Sequence, residues 1–142
     1  MLDKKFWKNK RVLLTGHTGF KGSWTSIMLH KLGAKLHGIS LESITNPNLF
    51  EIANIQDLFQ ISLTGDVNCK RDIDHLISEV NPDIVLHMAA QPLVKYSYEN
   101  PIETFATNIM GTVNLLESCK KNKSVKSIVI ITSDKCYENL ET

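Results

Sequence analysis

Cysteine is scarce in this sequence. Cys69, Cys119 and Cys136 form no C-x-x-C pair and leave one over, so neither a disulfide framework nor a zinc site is indicated. The five histidines stand at no metal-ligand spacing, and each is expected to be a surface or packing residue. An excess of either charge is also missing. The 16 basic and 15 acidic residues are scattered and sum to +1, which removes the electrostatic footprint of a nucleic-acid or anionic-membrane partner. The densest basic run, KKNKSVK at 120–126, reads as a helix end, where cations complement the dipole. The first apolar stretch is only Val12 to Leu14, too short for a signal-peptide core or a membrane span. A cytoplasmic protein is therefore expected. Repeats, low-complexity tracts and internal linkers are absent, so the 142 residues, 42% hydrophobic and 22% charged, read as one ordinary globular domain.

What is present is an alternation of strand and helix patterns. Val12 to Leu14 is a short β-rich run. After Gly19, the residues Trp24, Ile27, Met28 and Leu32 recur at helical spacing, with Gly33 just past the helix end. Lys35 to Ser40 and Ile61 to Gly65 read as the next two strands. Ile73, Leu76, Ile77 and Val80 mark a helix packed along one face and stopped by Asn81-Pro82. Asp83 to Ala90 holds the continuous apolar run of a strand covered on both sides. Asn100, Pro101 and Glu103 predict an N-cap with a capping box. Ile102, Phe105, Ala106, Ile109, Val113 and Leu116 carry helical period onward from there, and Gly111 inside that helix implies a close neighbour, since Gly costs about 1 kcal/mol against Ala. Ser127 to Ser133 is the last strand. The order predicts an α/β fold, a Rossmann-type doubly wound parallel sheet in the order 3-2-1-4-5, with its crevice at the carboxyl ends of strands one and four.

The first strand runs into TGHTGFKG, in which Gly16, Gly19 and Gly22 precede a helix. A diphosphate needs unblocked backbone N–H groups at a helix N-terminus and a chain without Cβ atoms in the way, so this placement points to a dinucleotide. Glu42, just past the second strand, stands where a ribose-binding acid is expected, and no Lys or Arg occurs from His37 to Phe50. That favours NAD over NADP, with Lys21 the residue able to reach a 2′-phosphate. Asp66, in TGDV, either accepts from the adenine amino group or caps the helix of Ile73.

The glycine loop, GDV, HMAA and TSD, in this order, resemble the extended short-chain dehydrogenases/reductases. The wording LLTGHTGFKGSW, HMAAQPLVKYSYENP, TNIMGTVNLLE and ITSDKCYEN is similar to the CDP-glucose branch of the sugar-nucleotide 4,6-dehydratases. The resemblance implies an NAD that oxidises the sugar C4 hydroxyl, loss of water across C5 and C6, and return of hydride to C6. It implies that Gly16, Gly19 and Gly22, with the backbone at Phe20 and Lys21, hold the pyrophosphate. Asp66 and Val67 would then flank adenine, and Met88, Ala89, Ala90 and Gln91 would line the path to the nicotinamide ribose, with Thr132 also at the cofactor. It further assigns Ser133 a hydrogen bond to the substrate hydroxyl, and Asp134 the role of the acid that protonates the departing C6 hydroxyl. Lys135 stands where dTDP-type relatives have glutamate. It acts either as a base at C5, which requires a lowered pKa, or as a stabiliser of enolate charge. A bare reading of Asp134-Lys135 as a turn with a surface ion pair stays open, and Cys136 reads as a packing residue.

The Tyr-x-x-x-Lys pair of that family is missing: Tyr96, Tyr98 and Tyr137 are followed four places on by Asn100, Ile102 and Glu141. The chain therefore reads as residues 1–142 of a longer enzyme, its NAD(P)-binding domain, inactive alone and a homo-oligomer when complete. The last strand is expected to leave an apolar edge open to another chain. A 4-epimerase and a non-catalytic NAD-sensing module are the competing readings.

Overall fold

The computed structural model of the chain describes residues 3–133 and 137–138. Along it run α1 (Lys4–Trp7), β1 (Arg11–Thr15), α2 (Phe20–Lys31), β2 (Lys35–Ser40) and α3 (Leu49–Ile52), then a 3₁₀ turn at Ile55–Leu58. There follow β3 (Phe59–Thr64), α4 (Lys70–Val80), β4 (Ile84–His87), α5 (Val94–Glu99), α6 (Pro101–Phe105), a π-turn at Ala106–Met110, α7 (Gly111–Lys121) and β5 (Ser127–Ile130). The strands form one sheet in the order β3-β2-β1-β4-β5, parallel throughout. This is the predicted doubly wound topology.

Alternation along β1 divides the core. Val12 and Leu14 pack with Leu29 of α2, Ala34, Leu36 and Ile84 on one face. Leu13 points the other way, among Ile39, Ile73, Leu76, Ile77, Val80, Val85 and Leu115. Each such aliphatic side chain contributes about 1.5–3 kcal/mol on burial, and with both faces covered the strands can be apolar throughout. At the amino edge, Arg11 ties β1 to the residue before β4: its N–H donates to Asp83 Oδ2 at 2.9 Å, and its guanidinium lies 3.3 Å from Oδ1.

Helix α4 buries Ile73, Leu76, Ile77 and Val80 as their spacing predicts. Two other helices correct the sequence reading. In α2 the buried residues are Gly22, Ser23, Ser26 and Leu29, whereas Trp24 is 54% exposed and Met28 40%. Beyond Asn100, the predicted stripe faces outward, with Ile102 86% and Phe105 63% exposed, while Gly111, Leu115, Ser118 and Cys119 face inward. Small residues let a helix axis approach the sheet closely, so the inner face need not be the most apolar one. The predicted capping box at Asn100 is also absent. Its side chain makes no cap bond, and Glu103 instead accepts from the Tyr96 hydroxyl at 2.7 Å. Strand boundaries shift modestly: β3 begins two residues early, and β4 and β5 stop at His87 and Ile130. Strand β5 pairs only with β4 among the described residues, and Val129 on it is exposed, as the predicted free edge requires.

The close neighbour expected at Gly111 is Val67, buried beside it. A Cβ at Gly111 would stand 2.6 Å from Val67 Cγ2. Gly111→Ala is therefore expected to destabilise the fold by about 1–3 kcal/mol through overpacking, outweighing the roughly 1 kcal/mol of helix propensity gained. Urea denaturation checks the sign: a raised midpoint would mean that propensity wins.

Candidate functional site

The registers bring three strand ends level. Thr15 pairs with Ile39 of β2 on one side and His87 of β4 on the other, so the turn after β1 opens between two carboxyl edges. Gly16 takes φ +72° there, and a Cβ on it would lie 2.8 Å from the Ala89 nitrogen. At Gly22, in the first turn of α2, a Cβ would collide with the Gly16 carbonyl oxygen and would lie 2.7 Å from the His17 Cα. Both glycines are thus required by the turn itself. Gly19 differs. It is the exposed N-cap of α2 with ordinary dihedrals, φ −70° and ψ 167°, and a Cβ on it would meet only the Gly16 oxygen, at 3.4 Å.

Helix α2 has no side-chain cap and no acidic residue in its first turn. Its opening N–H groups, at Phe20, Lys21 and Gly22, lack intrahelical acceptors, and the positive end of the dipole stands uncompensated. Phe20 and Lys21 are exposed beside Gly19. An anion is the ligand this end selects.

Two residues between the glycines anchor the turn to β2 and β3. His17 is buried at 1% exposure, its Nε2 lies 2.8 Å from Ser62 Oγ, and its ring packs on Phe59 and Phe50 at centroid distances of 4.6 and 5.5 Å. Mid-strand Gly38 makes room: a Cβ there would sit 2.5 Å from His17 Nδ1. Burial pushes the His17 pKa down to about 4. Thr18 Oγ1 donates to the Leu41 carbonyl at 2.8 Å and lies 2.7 Å from Ser40 Oγ. Glu42, the proposed ribose ligand, follows directly and is exposed.

Across the crevice, the Thr15 hydroxyl accepts from the N–H groups of Met88 and Ala89 at 3.1 and 3.0 Å and lies 2.7 Å from His87 Nδ1. His87 Nε2 reaches Thr112 Oγ1 at 3.0 Å. Asn108 holds Gln91 by both ends of its amide: Oδ1 accepts from the Gln91 N–H at 2.8 Å, and Nδ2 donates to its carbonyl at 3.1 Å.

The structure therefore brings Gly16, Gly19, Phe20, Lys21 and Gly22 together with Met88 and Ala89 at one crevice, and Ala90 and Gln91 continue along it. Asp66 follows β3, where its Oδ1 accepts from the Asn68 N–H at 2.8 Å. It does not cap α4, whose N-cap is Cys69. The Val67 side chain is committed to the core. Thr132 and Ser133 lie exposed past β5, and Ser133 has interactions of its own. Asp134, Lys135 and Cys136 lie outside the described residues. No group of residues suited to hold a metal occurs among the described residues, and no described helix is long and apolar enough to cross a membrane. Sequence reasoning missed Thr15, His17, Thr18, His87, Asn108 and Thr112. The signal for His17 was a glycine in the middle of β2, which marks a close approach.

Comparison with known proteins places this geometry. The family model described as GDP-mannose 4,6 dehydratase matches residues 13–142. CDP-glucose 4,6-dehydratase of Salmonella typhimurium is 54% identical over 141 residues, 99% of this chain and 39% of that protein. UDP-glucuronate 4-epimerase 1 of Arabidopsis thaliana is 35% identical over 131 residues, 89% of this chain and 30% of that protein. Among solved structures, UDP-glucose-4-epimerase from Stenotrophomonas maltophila with bound NAD and formylated UDP-arabinopyranose superposes with a TM-score of 0.80 at 26% identity, covering 94% of this chain and 40% of that one. The chain thus spans 30% to 40% of the length of these relatives.

The buried His17 ring fixes a pH dependence. Its folded pKa of about 4 lies below the unfolded 6.5, so between those values the unfolded chain binds more protons and stability falls as the pH is lowered. At pH 5 the loss from His17 is about 2 kcal/mol relative to pH 7. His37 and His87, both lowered first by burial, add in the same direction. Asp74 and Asp83, with pKa values held below the usual carboxylate value by Lys70 and Arg11 hydrogen bonds, lose stability only at lower pH. Urea unfolding at pH 7 and pH 5 checks this, and equal free energies would contradict the buried neutral ring.

Proposed function

Because the chain belongs to the GDP-mannose 4,6 dehydratase family, we propose that it holds NAD for a cytoplasmic sugar-nucleotide 4,6-dehydratase whose substrate is CDP-glucose. The observation that carries the cofactor is Gly19. A Cβ there would meet only the Gly16 oxygen, at 3.4 Å, so the surrounding chain does not demand glycine, whereas a ligand closing on the helix N-terminus would. In this reading the N–H groups at Phe20, Lys21 and Gly22 take the diphosphate across Gly19, whose own N–H stays with the Gly16 carbonyl. Glu42 takes the adenosine ribose, and Asp66 and the Val67 backbone flank adenine. Met88 to Gln91 and Thr132 lie toward the nicotinamide ribose. Bound NAD supplies a hydride acceptor. Ser133 holds the substrate hydroxyl, Asp134 gives a proton to the departing C6 hydroxyl, and Lys135 serves C5 as base or as counter-charge. The 54% identity to CDP-glucose 4,6-dehydratase, against 35% to UDP-glucuronate 4-epimerase 1, supports elimination over epimerisation. The outward apolar stripe from Ile102 to Leu116 supports self-association of the whole protein.

Calorimetry with NAD and NADP tests the cofactor. Gly19→Ala is expected to weaken NAD by more than about tenfold while costing at most about 1 kcal/mol of stability as a poorer N-cap. Unchanged NAD affinity in a folded Gly19→Ala chain would remove the argument. In the complete enzyme, Asp134→Asn is expected to abolish loss of water from CDP-glucose with NAD still bound. Retained dehydration would take the acid role from Asp134.

A further inference from the structure

The hydrogen bonds around His87 leave each atom a single role. The Thr15 hydroxyl oxygen accepts from the Ala89 N–H and shares the Met88 N–H with the Thr15 carbonyl, so its own hydrogen goes to His87 Nδ1. Nδ1 is then the acceptor, and the ring proton sits on Nε2, facing Thr112 Oγ1. Thr112 can accept it because its own hydrogen goes to the Asn108 carbonyl, 2.9 Å away. Asn108 lies in the π-turn, where the Gly111 N–H skips to the Ala106 carbonyl, a widening that recurs at functional sites. The Asn108 side chain in turn grips Gln91. The stretch Met88–Gln91 is thus fixed at its start by Thr15 and at its end by Asn108, and His87, 2% exposed, joins the two.

We infer that His87 is a positioning residue: through Thr15 on one side, and Thr112 with Asn108 on the other, it sets Met88–Gln91 against the crevice and governs the hold on the nicotinamide-ribose half of the dinucleotide. The diphosphate half, gripped by the turn before α2, does not depend on it. This rests on the dinucleotide reading above. Burial is the cause that lowers the His87 pKa, which agrees with a neutral ring. A second ring proton would face the Thr15 hydrogen and force Thr15 to release one of the two N–H groups.

The experiment compares two ligands, NAD and ADP, titrated calorimetrically into the folded chain and its variants. Thr112→Val removes the hydroxyl but keeps the shape at a half-buried position. His87→Asn keeps an acceptor near Thr15 but does not reach Thr112. Both are expected to weaken NAD about five- to tenfold, the scale of one or two lost hydrogen bonds, and to leave ADP within about twofold, while Thr112→Ser restores NAD. A merely structural role would weaken both ligands in parallel. Parallel loss, or wild-type NAD affinity in Thr112→Val, overturns the inference. Wild-type chain that takes up neither ligand overturns the dinucleotide reading and this inference with it. Nitrogen NMR of the imidazole separates the two failures: a proton on Nε2 at pH 7 is expected, and a proton on Nδ1 defeats the His87 assignment whatever binds.

Discussion

One hydroxyl group holds the site together. Thr15 ends the central strand with Ile39 and His87 level beside it. Its hydroxyl oxygen takes the Ala89 N–H that β4 releases as it leaves the sheet and shares the Met88 N–H with the Thr15 carbonyl. Without that acceptor the Met88 N–H would keep the Thr15 carbonyl, but the Ala89 N–H would lose its partner, at a cost of about 1–3 kcal/mol. The turn at Gly16 can then press against Ala89, and the crevice between β1 and β4 gains two firm walls. A doubly wound sheet offers ligands this place by topology. Thr15 and its partners make it a defined surface.

The topology was legible because strand-forming runs alternate with helical ones, and such an order has few solutions. Which face each helix buries was legible only for α4, where the inner residues are Ile, Leu and Val. In α2 the inner positions are Gly22, Ser23, Ser26 and Leu29, and in α7 Gly111, Leu115, Ser118 and Cys119, mixing small residues that allow closeness with apolar ones. Periodicity located those helices without fixing their inner faces: at the end of α2 Leu32 is buried while Trp24 and Met28 are exposed, and the stripe from Ile102 to Leu116 turns largely outward. Asn100 and Glu103 failed for a different reason: α5 ends directly before α6, and Tyr96 on it competes successfully for the Glu103 carboxylate.

The glycine turn was legible and its supports were not. His17 and Phe50 come from separate elements and Phe59 and Ser62 from β3, and although Gly38 marks a close approach, nothing local says that His17 fills it. The same holds for His87 and Thr112, which meet across 25 residues. Buried histidines of this kind are packing residues, as their lack of metal spacing implied, yet they also carry hydrogen-bond polarity, which packing alone does not specify.

The three glycines of the turn do not bear equally on function. Gly16 is required by its positive φ and by the approach of Ala89, and Gly22 by the Gly16 carbonyl. A protein that bound nothing would need both in order to fold this way, so their presence is evidence of a turn. Gly19 meets no such demand from the chain around it. An exposed N-cap is a place where Ser, Thr, Asp or Asn would stabilise the helix by bonding its free N–H groups, and a side chain doing so would compete with an outside anion for those donors. Glycine at that position forgoes the local cap and keeps the helix end open, the condition under which an outside anion meets no competing side chain.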